Sequence, residues 1–161
     1  MRASGALSFF INVARLSATR CHQEQLDETQ VRASTMAAGS DGALPPVVVV
    51  VDDDPAVCSS LKFSLELEGF RVRDYRSPAE VLRAADLDAC NCFVIDQRLP
   101  AMSGLELIAR LRDRHVVAPA ILITSNPTAA LHERAALAKI DIVEKPLFGN
   151  ALVERIRKAC V

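Results

Sequence analysis

Three absences limit what this sequence can encode. Neither sign of charge is in excess, since 19 Lys and Arg face 20 Asp and Glu. A chain without a basic surplus has no general electrostatic attraction to nucleic acid or anionic lipid. The valine run 47–51 stops at three aspartates, well short of the roughly 18 apolar residues that would span a bilayer. We therefore expect a soluble, cytoplasmic protein with no membrane segment.

The cysteines also exclude two classes of protein. There are five, without the paired spacing of a zinc site or the density of a disulfide-stabilised scaffold. Most of them lie in apolar surroundings, so we expect reduced thiols.

Length and local composition predict one folded domain. The chain has 161 residues, and residues 1–46 are rich in Ala, Ser, Arg and Gln and end in Pro45 and Pro46. We interpret 1–46 as a disordered N-terminal extension, and translation from Met36 would shorten it. The remaining residues, 47–161, have the usual size of a single domain.

From Val47 onward, strand-like and helix-like patterns alternate five times, which is typical of a parallel sheet covered by helices. The second and fifth strand candidates alternate apolar and polar residues, as edge strands can, whereas the others are continuously apolar. The pattern predicts an α/β, doubly wound, flavodoxin-like sheet of five parallel strands in the order 2-1-3-4-5, with five helices. The strand candidates are 47–51, 70–75, 92–95, 120–124 and 140–143.

Helix starts are visible where a capping residue precedes proline. This pattern predicts helices that begin after Asp54, Ser77 and Asn126. Capping-box spacing marks Ser77 with Glu80 and Ser103 with Glu106.

Polar residues follow four of the strand candidates. Because the carboxyl ends of parallel strands meet at one edge, these side chains are expected to lie together where ligands bind such sheets. Adjacent carboxylates repel unless a cation neutralises them, and hard oxygen ligands suit Mg²⁺. Singly, each residue has an ordinary structural explanation, such as helix capping for Asp54 or solvated charge for Lys145; their convergence favours function. The set is Asp52, Asp53, Asp54, Asp96, Thr124, Ser125 and Lys145.

Four motifs together resemble the receiver domain of bacterial two-component response regulators. They are VVDDDP at 50–55, IDQRLPAMSG at 95–104, ITS at 123–125 and VEKP at 143–146. The resemblance covers the whole predicted domain.

The resemblance implies a role for each site residue. Asp96 would accept a phosphoryl group from the histidine of a sensor kinase or of a histidine phosphotransfer protein. Thr124 and Lys145 would contact that group, with a cis peptide between Lys145 and Pro146, and Ser125 would leave room for it. Arg98 and Asn126 would tune its hydrolysis. Mg²⁺ would be held by Asp52 (through water), Asp53, Asp96 and the backbone carbonyl of Arg98.

The resemblance further implies that the chain catalyses only its own phosphorylation and dephosphorylation and is otherwise not an enzyme. No segment resembling a helix-turn-helix follows the domain, so we expect no direct DNA binding. The prediction is a stand-alone receiver that signals to an as yet unidentified downstream protein, with a homodimer as a further expectation. One departure is Ile142, where the family usually has an aromatic residue; another is Ala138-Lys139, where Gly-Ala is common.

Two alternatives belong to other classes. A haloacid-dehalogenase-like, Mg²⁺-dependent phosphatase would use Asp52 as nucleophile and Asp54 as acid/base, but would leave Asp96 without a role. A phosphate-independent binding module would keep the fold and not the chemistry, an interpretation that Ile142 favours and the acidic set opposes.

Overall fold

A computed structural model describes residues 44–147 and 149–160 of the chain. Within them, five parallel strands form one sheet in the order β2-β1-β3-β4-β5. The doubly wound α/β fold and its strand order are therefore confirmed. The strands are β1 (Val47–Val51), β2 (Arg71–Tyr75), β3 (Cys92–Asp96), β4 (Ala120–Thr124) and β5 (Asp141–Glu144).

Five α-helices in the described part of the chain cover the two faces of the sheet, as predicted. Helices α1 and α5 pack on one face, and α2, α3 and α4 contribute to the core on the other. A short 3-10 helix, Leu87–Ala89, precedes β3. The α-helices are α1 (Pro55–Leu67), α2 (Pro78–Arg83), α3 (Gly104–Asp113), α4 (Ala129–Leu137) and α5 (Ala151–Ala159).

Burial of the strands follows their place in the sheet. Every residue of β1, β3 and β4 is buried, because helices cover both faces of these central strands. The edge strands β2 and β5 each have only partial cover. Strand bounds predicted from the sequence differ from the structure by at most one residue at each end.

Side-chain caps fix most of the helix starts. Asp54 accepts from the Ala56 N–H and Ser77 from the Glu80 N–H, so α1 and α2 begin where predicted. Ser103 and Glu106 form a complete capping box at α3. In α2 the predicted box is only half formed, since the Glu80 carboxylate accepts from Arg76 N–H instead.

The predicted start of α4 after Asn126 is wrong. The helix begins at Ala129 because the Thr128 hydroxyl caps it by accepting from the Leu131 N–H. Asn126 instead belongs to the preceding loop, where its N–H donates to Thr124 Oγ1 at 3.3 Å. A second potential capping residue close by therefore moved the start by two residues.

Helices α1, α3 and α4 end in the same hydrogen-bonded motif. In each, the residue after the C-cap has positive φ, and its N–H donates to the carbonyl three residues earlier. The N–H of the following residue donates to the carbonyl five residues before it. Gly69 takes the left-handed position after α1, whereas His115 and Lys139 take it after α3 and α4 at the cost of a Cβ in that conformation.

Two sequence predictions fall largely outside the described residues. The N-terminal extension 1–46 overlaps them only at 44–46, so its division from the domain stays a prediction. The spacing of Phe148, Leu152 and Ile156 also predicts an apolar face for the last helix; Phe148 lies outside the described residues, whereas Leu152 and Ile156 are buried. No helix in the described part is long and apolar enough to cross a membrane.

Candidate functional site

The carboxyl ends of four strands bring the predicted site residues to one edge. Asp52 follows β1, Asp96 and Thr124 are the last residues of β3 and β4, and Lys145 follows β5. Register supports the grouping, since Asp96 lies beside Ile123 and Thr124 beside Glu144. Three of these side chains are polar yet buried, with exposed fractions of 1% for Asp52, 5% for Asp96 and 3% for Thr124.

Lys145 joins the two buried carboxylates. Its Nζ lies 2.7 Å from Asp52 Oδ2 and 2.6 Å from Asp96 Oδ1. The lysine is oriented from β5, where its backbone N–H donates to the Thr124 carbonyl at 2.8 Å, and it precedes a cis peptide bond to Pro146, as expected. Asp52, Asp96 and Lys145 therefore converge on one point.

Burial and charge set the protonation of this group. Burial raises the pKa of Asp96 above its ordinary value, and hydrogen bonding to Lys145 offsets this only in part. For Lys145, burial alone would lower the pKa, but the hydrogen bonds to Asp52 and Asp96 outweigh it and the net pKa is raised. The ammonium is thus held charged between the carboxylates.

The other predicted residues lie nearby but are engaged differently. Asp53 is exposed, and Asp54 is occupied as the N-cap of α1. The backbone N–H of Arg98 donates to Asp96 Oδ2, whereas Asp96 Oδ1 binds Lys145, so each carboxylate oxygen has its own partner. Ser125 is exposed directly after Thr124.

A close approach of backbones explains Gly104 at the start of α3. A Cβ at this position would collide with the Asp96 carbonyl oxygen and with Leu122 Cδ1. Its N–H donates to the Gln97 carbonyl at 3.0 Å, while Gln97 Oε1 accepts from the Leu105 N–H at 3.3 Å. This packing holds the loop that follows Asp96 against β4.

The donor set fits Mg²⁺ in its chemistry. Asp52 and Asp96 direct oxygens at the same cationic atom, and Asp53 adds a third carboxylate at that edge. Hard, anionic oxygens of this kind are the ligands that Mg²⁺ prefers. The carboxylates are not gathered into a preformed cage, since the described residues contain no cluster of three or more His, Cys, Asp or Glu positioned to hold a metal.

Comparison with known proteins places this geometry in a family. The model of the response regulator receiver domain matches residues 48–157. The chain belongs to this family. The chain is 37% identical over 114 residues to the transcriptional regulatory protein FixJ of Rhizobium meliloti. The match covers 70% of this chain and 55% of the relative. The chain thus spans about half the length of that curated relative.

Solved receivers have the same fold. The crystal structure of FixJ-N aligns with a TM-score of 0.65 at 34% identity, covering 73% of this chain and 95% of that one. A CheY-like receiver domain protein from Methanospirillum hungatei aligns with a TM-score of 0.64 at 27% identity, covering 71% and 92%.

Membership gives the coarse function. The receiver domain has a phosphoacceptor role in two-component signalling, and its family interacts with sensor kinases. The comparisons favour this assignment over the haloacid-dehalogenase-like alternative. The prediction that the protein signals without an output domain stays a prediction.

Sequence reasoning did not single out two residues near the receiver's site. Gln97 accepts a hydrogen bond from the first turn of α3, as described above. Arg134 of α4 lines a cavity that Thr124 also lines. Neither residue belongs to a capping motif or directly ends a strand. Arg134 in particular is one arginine of an exposed helical surface, and its placement depends on where α4 begins.

The cysteines agree with the expectation of reduced thiols. The four in the described residues are free, and three of them, Cys58, Cys90 and Cys92, are buried. Burial raises the pKa of both Cys90 and Cys92 to about 12, so neither is a reactive thiolate. Cys21 lies outside the described residues.

Proposed function

We propose that the protein is a Mg²⁺-dependent phosphoacceptor switch that is phosphorylated on Asp96. The observation that carries the proposal is the convergence of Asp52, Asp96 and Lys145 at 2.6–2.7 Å, with Thr124 ending the adjacent strand. An ammonium bound to a buried carboxylate, with a hydroxyl side chain at the end of the adjacent strand, can neutralise and hydrogen-bond the charge of an incoming phosphoryl group.

The transfer balances as a simple displacement. A carboxylate oxygen of Asp96 forms a bond to phosphorus while the P–N bond to the donor histidine breaks, and the departing imidazole takes up a proton. The product is an acyl phosphate on Asp96. Lys145, already charged, pairs with a phosphoryl oxygen, and the Thr124 hydroxyl donates to another.

Mg²⁺ would be held by Asp53, Asp96 and the Arg98 carbonyl, with Asp52 acting through water. When bound, the ion supplies positive charge that offsets the phosphoryl oxygens and the neighbouring carboxylates. Asp52 and Asp96 already share one cationic group, the ammonium of Lys145. This supports the binding of Mg²⁺ at these carboxylates once Lys145 turns toward the phosphoryl group.

The partners follow from this chemistry. A sensor histidine kinase or a histidine phosphotransfer protein would supply the phosphoryl group, and the added charge would shift the receiver toward a conformation that binds a downstream protein. The chain would then catalyse only its own phosphorylation and dephosphorylation.

Intact mass measured after incubation with acetyl phosphate tests the proposal. The unaltered chain should gain one phosphoryl group with Mg²⁺ and none with EDTA, and Asp96→Asn should gain none. Asp54→Asn is the matched control, because asparagine caps α1 as well as aspartate does, so uptake should persist.

Two results would contradict the proposal. Uptake that survives in Asp96→Asn and is lost only in Asp52→Asn would favour phosphatase chemistry instead. No adduct under any condition would favour a phosphate-independent binding module.

A further inference from the structure

A small polar cavity lies beside the phosphoacceptor. It has a volume of about 260 Å³ and is bounded by the residues after β3, the loop after β4 and the first turns of α4. Thr124 forms part of its wall, and Gln97 and Arg98, which follow Asp96 directly, form another part. Its other lining residues are Asn126, Thr128, Ala130, Leu131 and Arg134.

The charged side chains that line the cavity are all basic. Arg98 and Arg134 both line it, and no carboxylate does. In the described residues neither arginine takes part in a salt bridge, although four other basic side chains do: Lys62, Lys145, Arg155 and Arg157. Two guanidinium groups that form no salt bridge within the described part of the chain therefore line one cavity.

The first turn of α4 adds to this charge. Ala130 of the lining belongs to that turn, in which the Thr128 hydroxyl caps the Leu131 N–H and the N–H groups before it have no partner within the helix. The aligned peptides give the helix N-terminus a partial positive charge. Guanidinium groups, hydroxyls and a helix N-terminus together suit an oxyanion.

The position of Asp96 indicates which oxyanion this is. One of its carboxylate oxygens is bound by Lys145 and the other by the N–H of Arg98, so the carboxylate lies between Lys145 and the residues that line the cavity. A phosphoryl group attached here adds about −1.5 to −2 charge beside the residues that line the cavity.

We propose that the oxygens of phosphorylated Asp96 are bound from the cavity side by the guanidinium of Arg134, with Arg98, and that this contact transmits phosphorylation to α4. The inference rests on the proposed function. Because Arg134 is exposed and belongs to α4, its movement toward the phosphoryl group orders that helix against β3 and β4. Phosphorylation is thereby converted into a change on the α4 surface.

Hydrogen exchange of the phosphorylated chain tests this contact. Acetyl phosphate and Mg²⁺ supply the modification, intact mass gives the occupancy, and variants are compared at equal occupancy. In the unaltered chain, phosphorylation should slow amide exchange in α4 by about fivefold or more. In Arg134→Gln this slowing should be lost, and Arg134→Lys, which keeps the charge without the planar fork, should restore part of it.

Arg110→Gln is the matched control. Hydrogen bonds from Ser103 lower the pKa of Glu106 most, and the charges of Arg134 and Arg110 add to this lowering, so both arginines act on the same acid. Only Arg134 lines the cavity. The Arg110→Gln chain should therefore show the same slowing in α4 as the unaltered chain.

Failure of this inference is distinct from failure of the proposed function. An adduct on Asp96 with equal slowing of α4 in the unaltered chain and in Arg134→Gln would overturn the inference alone. Equal loss of the slowing in Arg110→Gln and Arg134→Gln would overturn it too, because general surface charge would then be the cause. No adduct on the unaltered chain would overturn both.

Discussion

At the scale of single residues, the site depends on a lysine held between two buried carboxylates. Burial is costly for a charged carboxylate, and Lys145 offsets only part of that cost at Asp96, whose pKa stays raised. The folded chain therefore holds the Asp96 proton more tightly than the unfolded chain does. By linkage, the contribution of Asp96 to stability falls as pH rises from the ordinary carboxyl pKa through this raised value.

The first prediction concerns Asp96→Asn. Asparagine carries no charge to bury, so without metal this variant should have a higher free energy of unfolding than the unaltered chain at pH 7. The difference should shrink as pH is lowered to about 4, in the ordinary carboxyl range, because the raised pKa of Asp96 lets its carboxyl take up a proton on the way. Urea unfolding in EDTA at both pH values measures it.

Asp53→Asn serves as the control, because Asp53 is exposed. It should change the unfolding free energy at pH 7 by no more than about 0.5 kcal/mol. The account of Asp96 would be wrong if Asp96→Asn were no more stable than the unaltered chain at pH 7.

Which residues form the site could be predicted from the sequence, but their contacts could not. Asp52, Asp96, Thr124 and Lys145 each follow or end a strand, and parallel strands bring such positions to one edge. That Lys145 Nζ binds both carboxylates, while Asp53 faces solvent, depends on side-chain orientation across strands far apart in the chain. Local sequence pattern does not predict such contacts.

At the scale of elements, helix ends carry avoidable strain. Lys139 takes the left-handed position after α4, with φ of 55°, where a Cβ is unfavourable. Lys139→Gly should raise the free energy of unfolding by about 1 kcal/mol, because the strain of the Cβ exceeds the added chain entropy of glycine. Thermal or urea unfolding measures this.

Lys139→Ala separates backbone strain from side-chain charge. Alanine removes the charge and keeps the Cβ, so it should give no comparable gain. If Lys139→Ala stabilised the chain as much as Lys139→Gly, or if glycine lowered stability, strain at this helix end would not be the cause.

Element boundaries could be predicted where one local signal acted alone. Asp54, Ser77 and Ser103 cap helices as their sequence context indicates. At α4, Asn126 and Thr128 both have capping side chains, and the choice between them was made by the bond from Asn126 N–H to Thr124 Oγ1 in the site loop. This bond spans only two residues, so one local turn competed with a local capping preference.

At the scale of the whole molecule, strand order could be predicted because burial differs between strands. The continuously apolar strands are central and the alternating ones lie at the edges, so hydrophobic pattern identifies the edge strands, and short right-handed crossovers then specify the doubly wound sheet. Hydrophobic pattern does not define the boundary of the domain in the same way. Within the described residues, the first hydrogen bonds to the sheet are those from Arg71 N–H to the Pro46 carbonyl and from Val47 N–H to Asn91 Oδ1.

A shortened chain tests this boundary. A chain that begins at Leu44 keeps the contacts of Pro46 and Val47, so its midpoint of thermal unfolding and its phosphoryl uptake should equal those of the full chain. A chain that begins at Val48 loses both contacts and should unfold at a lower temperature. A drop on removal of 1–43 alone would mean that the domain extends further toward the N-terminus.

Chemical mapping of the phosphoryl group tests the central claim most directly. Borohydride reduces an acyl phosphate to an alcohol, so a phosphorylated aspartate becomes homoserine, which peptide mass spectrometry locates. After treatment with acetyl phosphate and Mg²⁺, the account predicts homoserine at position 96 and nowhere else in the chain. Homoserine at position 52, or at no position despite an intact-mass adduct, would contradict it.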